Sequence, residues 1–157
     1  MQADQDKAKA VGHIPSGLFI ICTHENGQKH GFLASWVQQA SFEPLLVTFG
    51  MQPDRPAHSA ITSGKTFTIN IVGEHETQYL RHFWTGYEES PFGEIPHDLS
   101  ENGGILMTGA KSTLECKCKK TFHPGDHEII AAEVIGSYVH NDDSKPKVHI
   151  RKTGISY

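Results

Sequence analysis

Hydrophobic residues in this chain occur in short runs that are bounded by turn residues, and no long stretch repeats at helical spacing. The apolar run over 17–23 is followed by Asn26-Gly27, a dipeptide favoured in two-residue hairpin turns because both positions tolerate positive φ. We therefore predict a hairpin over 18–32. Four further segments combine β-branched and aromatic residues or alternate in polarity, and we predict strands over 45–51, 67–72, 112–122 and 129–138.

Two short helices are predicted between these strands. The segment 56–63 has Pro56 at its start and Gly64 after its end, and the segment 74–84 places Leu80, Phe83 and Trp84 close together. The segment 91–104, with two prolines and glycines spread along it, is predicted to be a long loop. We expect 88–104 to control access to a ligand. Six or so consecutive strands with only two helices favour a small β-barrel over a doubly wound sheet.

Length and charge limit the classes of protein to consider. With 157 residues we expect a single domain over 1–157, in which 1–12 is a poorly ordered or peripheral segment. Lys and Arg number 14 against 18 Asp and Glu, a formal charge of 14 − 18 = −4, so the basic surface of a nucleic-acid binder is absent. No apolar run approaches the roughly 20 residues that cross a bilayer, so we expect a soluble, cytoplasmic protein without membrane contact.

The 11 histidines suggest a metal site, but their spacing argues against it. His123 and His127 are four residues apart, and the Pro-Gly pair between them prevents the helical turn that would bring both to one face. Cys116 and Cys118 lack a second Cys or His pair at zinc-finger spacing. We therefore predict no metal site, and we expect the three cysteines to be buried or half-buried free thiols.

The segment 31–44 is unusual for a strand, because small and hydroxyl-bearing residues interrupt it at Ala34, Ser35, Ala40 and Ser41. Small side chains let a flat ligand approach the backbone, and exposed N–H groups and serine hydroxyls can then bind it. A serine-rich strand is also typical of a sheet edge or a turn. The pattern by itself leaves both interpretations open.

Taken together, several short motifs resemble the flavin reductase-like, FMN-binding split-barrel family, which includes flavoredoxin-type proteins and flavin reductase components. The resemblance implies a mainly β fold, a six-stranded split β-barrel with Greek-key connections and short helices. It also implies a homodimer that binds one FMN per subunit near the dimer interface. The motifs extend over roughly 14–157 and are, in chain order, Pro15-Ser16-Gly17, Ala34-Ser35-Trp36, Ala40-Ser41-Phe42-Glu43-Pro44, Arg55, Phe67-Thr68-Ile69-Asn70-Ile71 and Gly125-Asp126-His127.

The same resemblance implies the cofactor-binding residues. An Arg fork and the start of a short helix both stabilise a phosphate dianion. Ala57 stands where relatives often carry Thr or Ser, and it has no hydroxyl for a phosphate contact. The flavin would be lined by Leu33, Ala34, Ser35, Trp36 and Val37, its pyrimidine end would meet Ala40, Ser41 and Phe42, and its phosphate would be held by Arg55, His58 and Ser59.

His127 resembles the histidine of the family's Gly-Asp-His motif, which faces the cavity beside the flavin. The resemblance implies a catalytic role for His127, either to orient the nicotinamide or another substrate or to tune the charge near the reduced ring. The alternative for His127 is a turn histidine that is hydrogen-bonded to backbone.

The resemblance implies an FMN-binding oxidoreductase, an NAD(P)H-dependent flavin reductase that passes a hydride through flavin N5 to a small-molecule substrate or an electron-acceptor partner. FAD or riboflavin is the alternative flavin, as an exchanging substrate. The sequence lacks Gly-x-Gly-x-x-Gly, so a nicotinamide must stack over the flavin without a dinucleotide-binding fold of its own. A flavoredoxin-like electron-transfer protein without nicotinamide-dependent activity is the second interpretation.

Overall fold

A computed structural model of the chain describes residues 1–78, 80–84 and 91–156. The helices within these residues are α1 (Gln2–Gly12), α2 (His58–Thr62) and α3 (Leu80–Phe83), and Pro91–Gly93 forms a 3₁₀ turn. The strands are β1 (Ser16–Gly17), β2 (Phe19–Glu25), β3 (Gln28–Ala34), β4 (Val37–Ser41), β5 (Leu46–Met51), β6 (Thr66–Ile71), β7 (His97–Leu99), β8 (Ile105–Met107), β9 (Ser112–Phe122), β10 (Glu128–Val139) and β11 (Val148–His149). None of the helices in these ranges is long and apolar enough to span a membrane.

Seven antiparallel strands form the main sheet, in the order β3-β2-β6-β9-β10-β5-β4. The prediction of a mainly β fold is confirmed, with one strand more in this sheet than the expected six. The additional strand is β4, an edge strand with exposed Gln38 and Gln39. The hydrophobic pattern misses it because a polar edge strand lacks the apolar run that marks a central strand.

The sheet curls so that its two edges come together. Its edge strands, β3 and β4, are consecutive in the chain, and Ser35 and Trp36 connect them. Phe32 of β3 packs in the same core as Phe49 of β5, although the two strands do not pair. The barrel is therefore split between β3 and β4, and a two-residue link crosses the split.

The hairpin predicted from Asn26-Gly27 is present. Asn26 has φ 52° and Gly27 has φ 78°, as a two-residue hairpin turn requires, and they join β2 to β3 in continuous register. The predicted helix over 56–63 is also present as α2, and Gly64 follows it with φ 79°. Residues Ala57 and Ile61 pack into the barrel core, so α2 closes one end of the barrel.

The prediction of one helix over 74–84 is wrong in its first part. Gly73 forms a β-bridge with Pro146, and the Glu74 N–H donates to the Lys145 carbonyl at 2.8 Å. These contacts hold Gly73 and Glu74 as extended backbone against 145–146, so a helix cannot begin at residue 74. The helix α3 starts only at Leu80, and Tyr79 lies outside the described residues.

The predicted loop over 91–104 contains structure of its own. The 3₁₀ turn and β7 lie within it, and β7 pairs with β8. With α3 they cover a second core on β2 and β6, which includes Ile20, Phe83 and Ile105. Residues 88–90 of the segment expected to control ligand access lie outside the described residues. The three cysteines are free thiols as predicted, with Cys22 and Cys116 buried and Cys118 half-buried.

Residues 1–12, expected to be poorly ordered or peripheral, form the helix α1 on the outside of the barrel. Most of α1 is exposed, and its contacts lie at Ala8 and Gly12. The Gly154 N–H donates to the Ala8 carbonyl at 2.6 Å. A Cβ on Gly12 would lie 2.9 Å from the Thr153 nitrogen, so only glycine permits this close approach. The end of α1 is thus docked on 151–154.

Candidate functional site

The candidate site is built around Ser35 and Trp36, the link across the split of the barrel. Ser35 is buried, whereas Trp36 keeps 38% of its surface exposed. The Gly50 N–H donates to the Trp36 carbonyl at 3.2 Å, which holds the link against β5. A small pocket borders the link and is lined by residues that include Leu33, Ala34 and Arg55. A cleft of about 940 Å³ also borders the link and shares Ser35 and Trp36 with this pocket.

The outer face of β4, β5 and β10 forms the floor of this cleft. Gly50 is paired with Ile129 in the ladder between β5 and β10, and directly paired residues share a face of the sheet. A Cβ on Gly50 would lie 2.8 Å from Cε3 of Trp36, so the indole can rest on the strand only because Gly50 has no side chain. Val37 also lines the cleft, and the opposite wall is formed by the end of α1, by β1 and by 146–154.

Two further side chains meet the Trp36 indole. The His127 ring lies 4.7 Å from it, centroid to centroid, at an interplanar angle of 50°, and the Arg151 guanidinium lies 5.2 Å from its centroid. Nδ1 of His127 is 2.8 Å from Oδ1 of Asp126, which fixes the orientation of the imidazole. The hydrogen bond from His127, with the charge of that ring, lowers the pKa of Asp126.

Arg55 lines the small pocket, and its guanidinium is arranged in a way that suits an anion. Its guanidinium stacks 4.9 Å from the centre of the Phe32 ring, and it is half-buried. Within 1–78, 80–84 and 91–156, Arg55 forms no ion pair. A guanidinium that is fixed on an aromatic face keeps its planar edge available for a carboxylate or phosphate.

A buried carboxylate beneath the site was missed by the sequence analysis. Glu128 is only 3% exposed, one oxygen is hydrogen-bonded to His58, and the other lies 3.0 Å from Nε2 of His123. Burial raises the pKa of Glu128, but hydrogen bonds from His58 and Thr121 and the nearby charges of His123 and His58 outweigh it and hold the pKa below its usual value. The sequence did contain a signal for it. Glu128 is two residues before Ile130 and four before Ala132, so it falls on the same, inward-facing side of β10.

Comparison with known proteins identifies the family of this architecture. Residues 11–154 match the family model described as "Flavin reductase like domain". The chain belongs to this family. The resemblance inferred from the short motifs is therefore confirmed, and with it the assignment to the flavin-dependent oxidoreductases.

The flavin reductase like domain of this chain is also similar to part of longer curated proteins. It is 34% identical over 157 residues to diflavin flavoprotein A 1 of Synechocystis sp., and the match covers 98% of this chain and 27% of that protein. The chain thus spans about a quarter of the length of the curated relatives it matches.

Solved structures share the fold. An NADH:FAD oxidoreductase, SgcE6 of Streptomyces globisporus C-1027, solved with NAD and FAD fragments, gives a TM-score of 0.82 at 24% identity, covering 93% of this chain and 86% of that one. The flavin reductase HpaC complexed with NADP+ gives a TM-score of 0.79 at 24% identity, covering 91% and 90%. These likenesses support the split-barrel architecture.

The structure brings some of the predicted site residues together and leaves others apart. Ser41 ends β4 after a register shift, and Phe42 is 89% exposed in the following turn. The residues at the link are Leu33, Ala34, Ser35, Trp36, Val37 and Arg55, with His127 against Trp36. Those that line neither cavity are Ala40, Ser41, Phe42, His58 and Ser59.

His58 and Ser59 nevertheless lie close to Arg55. The His58 N–H donates to the Arg55 carbonyl at 2.9 Å, so the start of α2 is fixed to the turn that carries the guanidinium. The side chain of His58 is engaged by Glu128, whereas Ser59 is exposed. The flavin contacts of all the predicted residues remain predictions, as does the catalytic role of His127.

Proposed function

We propose that the chain binds FMN at the Ser35-Trp36 link and acts as an NAD(P)H-dependent flavin reductase domain. The observation that carries the proposal is the link itself, where an open cleft meets a small pocket that holds an Arg without an ion-pair partner in the described residues. A flat ring with a phosphate at one end matches this combination of an open apolar wall and a fixed cation.

The residues present fit such a cofactor. Ala34 and Ser35 line the small pocket together with Arg55, and their small side chains let a flat ring approach the backbone there. Gly50 lets the Trp36 indole lie on β5 at the border of the same pocket. Arg55 provides the fork for a phosphate, with Ser59 and the N–H groups at the start of α2 nearby. FMN, FAD and riboflavin share the ring and differ in what lies beyond the ribityl chain. Riboflavin has no phosphate there, so a contact with Arg55 favours FMN over riboflavin.

In this proposal the chain positions reactants and excludes water. A bound flavin supplies the ring that accepts and returns a hydride. Trp36, Val37 and Ile129 form the apolar wall that keeps water from the reacting face. His127, whose orientation Asp126 fixes, orients the nicotinamide or another substrate, or tunes the charge at the ring. The acceptor is a small molecule or a partner protein.

Mixing the flavin-loaded protein anaerobically with NADH or NADPH tests this function. We expect the visible flavin absorbance to bleach within seconds, because the reductant and the ring share one cleft. Dithionite serves as the positive control for a reducible flavin. Bleaching by dithionite together with no bleaching by either nicotinamide would contradict the reductase assignment.

An electron-transfer domain is the second candidate function. The chain corresponds to 27% of proteins that are named diflavin flavoproteins, so in a longer chain its electrons would come from another flavin. This candidate predicts no bleaching with nicotinamides and rapid reduction by a reduced flavoprotein. The same anaerobic experiment therefore separates the two functions.

We also propose that the chain is a homodimer. Gly50, Ile129 and Phe122 are consecutive partners across β5, β10 and β9, and Ile129 and Phe122 are 38% and 62% exposed. This row extends the cleft floor as an exposed apolar stripe, typical of a protein interface.

We expect light scattering after gel filtration to give twice 17.4 kDa for the wild type, and we expect Phe122→Asp to give a monomer because it places a charge in this stripe. A wild-type mass of 17.4 kDa at micromolar concentration would contradict the dimer.

A further inference from the structure

Two cations stand on the wall of the cleft opposite the sheet. Lys147 and Arg151 both line the cleft, and no Asp or Glu is among the described residues that line it. Neither cation forms an ion pair in the part of the chain that the structure describes. The cleft therefore has a mainly apolar floor, in which Gln38 and Thr48 are polar, and a positively charged wall without a carboxylate among its described lining residues.

The fold holds the backbone that carries both cations. The Lys147 N–H donates to the Val72 carbonyl at 2.9 Å, and β11, which follows Lys147, is paired with β1. Arg151 stacks on the Trp36 indole, and the backbone around it packs against Gly12 at the end of α1. A guanidinium that is stacked on an aromatic ring loses little further freedom when it binds an anion.

The local charge is positive at neutral pH. His149 lies between the two cations in the sequence, and burial of its imidazole, followed by the charges of Arg151 and Lys147, lowers its pKa below 6.5. This shift favours the neutral imidazole, so Lys147 and Arg151 carry the positive charge of the wall.

We propose that Lys147 and Arg151 form the subsite for the diphosphate of the nicotinamide dinucleotide that reduces the flavin. The inference rests on the proposed function and extends it to specific residues. Arg55 lines the small pocket and these two cations line the cleft, and the two cavities share Ser35 and Trp36, so the site offers separate positions for two anionic groups. The flavin phosphate takes Arg55, and the diphosphate of the reductant takes the wall of the cleft, with its nicotinamide towards Trp36 and His127.

The test uses the FMN-loaded protein and the double variant Lys147→Gln/Arg151→Gln. ADP-ribose, which carries the diphosphate without a nicotinamide, is titrated calorimetrically, with adenosine as the uncharged probe. We expect ADP-ribose affinity and the KM for NADH to weaken about tenfold or more, the scale of lost charge-assisted hydrogen bonds, with kcat changed little. FMN affinity should remain unchanged, and Arg151→Lys should recover part of the loss.

Lys152→Gln is the matched control, because Lys152 is exposed and does not line the cleft. We expect it to leave ADP-ribose affinity and KM unchanged. Equal ADP-ribose affinity in the double variant and the wild type would overturn the subsite. A loss of FMN affinity in the double variant as large as its loss of ADP-ribose affinity would also overturn it, because it would assign the two cations to the flavin. Because the ADP-ribose titration needs no turnover, it decides the subsite even if no nicotinamide reduces the protein, a result that contradicts only the reductase function.

Discussion

Replacing Arg55 with alanine is expected to lower FMN affinity by about 10- to 150-fold, or roughly 1.5–3 kcal/mol, the contribution of hydrogen bonds to a charged group. The guanidinium is fixed over Phe32 beside the link, so a phosphate that binds there meets an oriented fork rather than a mobile side chain. Titrating the apoprotein with FMN, followed by quenching of flavin fluorescence, measures the change directly.

Riboflavin is the matched ligand for this test, because it carries the ring and lacks the phosphate. We expect Arg55→Ala to leave riboflavin affinity unchanged, and Arg55→Lys to recover only part of the FMN affinity because an ammonium has no planar fork. Arg81→Ala, at an exposed position of α3, controls for net charge. An equal loss of riboflavin and FMN affinity would show that Arg55 acts by packing on Phe32 instead of by binding phosphate.

The parts of the fold that local chemistry determines could be predicted from the sequence. Asn26-Gly27 requires a turn with positive φ, and Gly64 marks the end of α2 because it adopts φ 79° without strain. The long strands β9 and β10 were also predicted, β9 from the alternation of its polar and apolar positions and β10 from the turn Pro124-Gly125-Asp126 before it. Leu33–Val37 and Arg55 were assigned by the order of short motifs, and they do converge on the split of the barrel.

The features that could not be predicted from the sequence depend on contacts between residues that are distant in the chain. The helix predicted at 74–84 is shortened because Gly73 and Glu74 bond to 145–146, which no local pattern indicates. Lys147 and Arg151 face the cleft only because β11 pairs with β1 and the end of α1 packs beside them. Position in the assembled fold, rather than residue type, gives these two cations their proposed role.

The split of the barrel explains why the site lies where it does. Adjacent strands of a sheet satisfy one another's backbone groups, so a closed barrel leaves little backbone for a ligand. Here the edges of β3 and β4 meet without pairing, and the small residues Ala34, Ser35 and Gly50 line the pocket at this edge. The segment 31–44, whose residues fit either a binding segment or a sheet edge, contributes to both edge strands, β3 and β4, and the two cavities border the link between them.

Replacing Glu128 with glutamine is expected to lower the free energy of unfolding by about 2–3 kcal/mol near pH 7, because it removes a buried charge that His58 and His123 face. The pKa of Glu128 is held below 4.5 in the folded protein. As the pH falls, this carboxylate is therefore protonated in the unfolded chain before it is protonated in the folded protein. Its stabilising contribution is therefore complete above about pH 4.5 and is lost as the pH falls through the folded-state pKa. Urea unfolding in a series of buffers measures both effects, and the difference between variant and wild type should shrink in acid.

Glu133→Gln is the matched control on the same strand. Glu133 is paired with Lys119 at 2.9 Å, and its side chain is 34% exposed, so we expect a loss of at most about 1 kcal/mol, as is usual for a surface ion pair. Because Glu128 also ties the start of α2 to the turn before β10, Glu128→Gln should weaken FMN binding at temperatures where the variant is still folded. Equal stability losses in the two variants, or a Glu128→Gln difference that does not shrink in acid, would contradict the role assigned to this carboxylate.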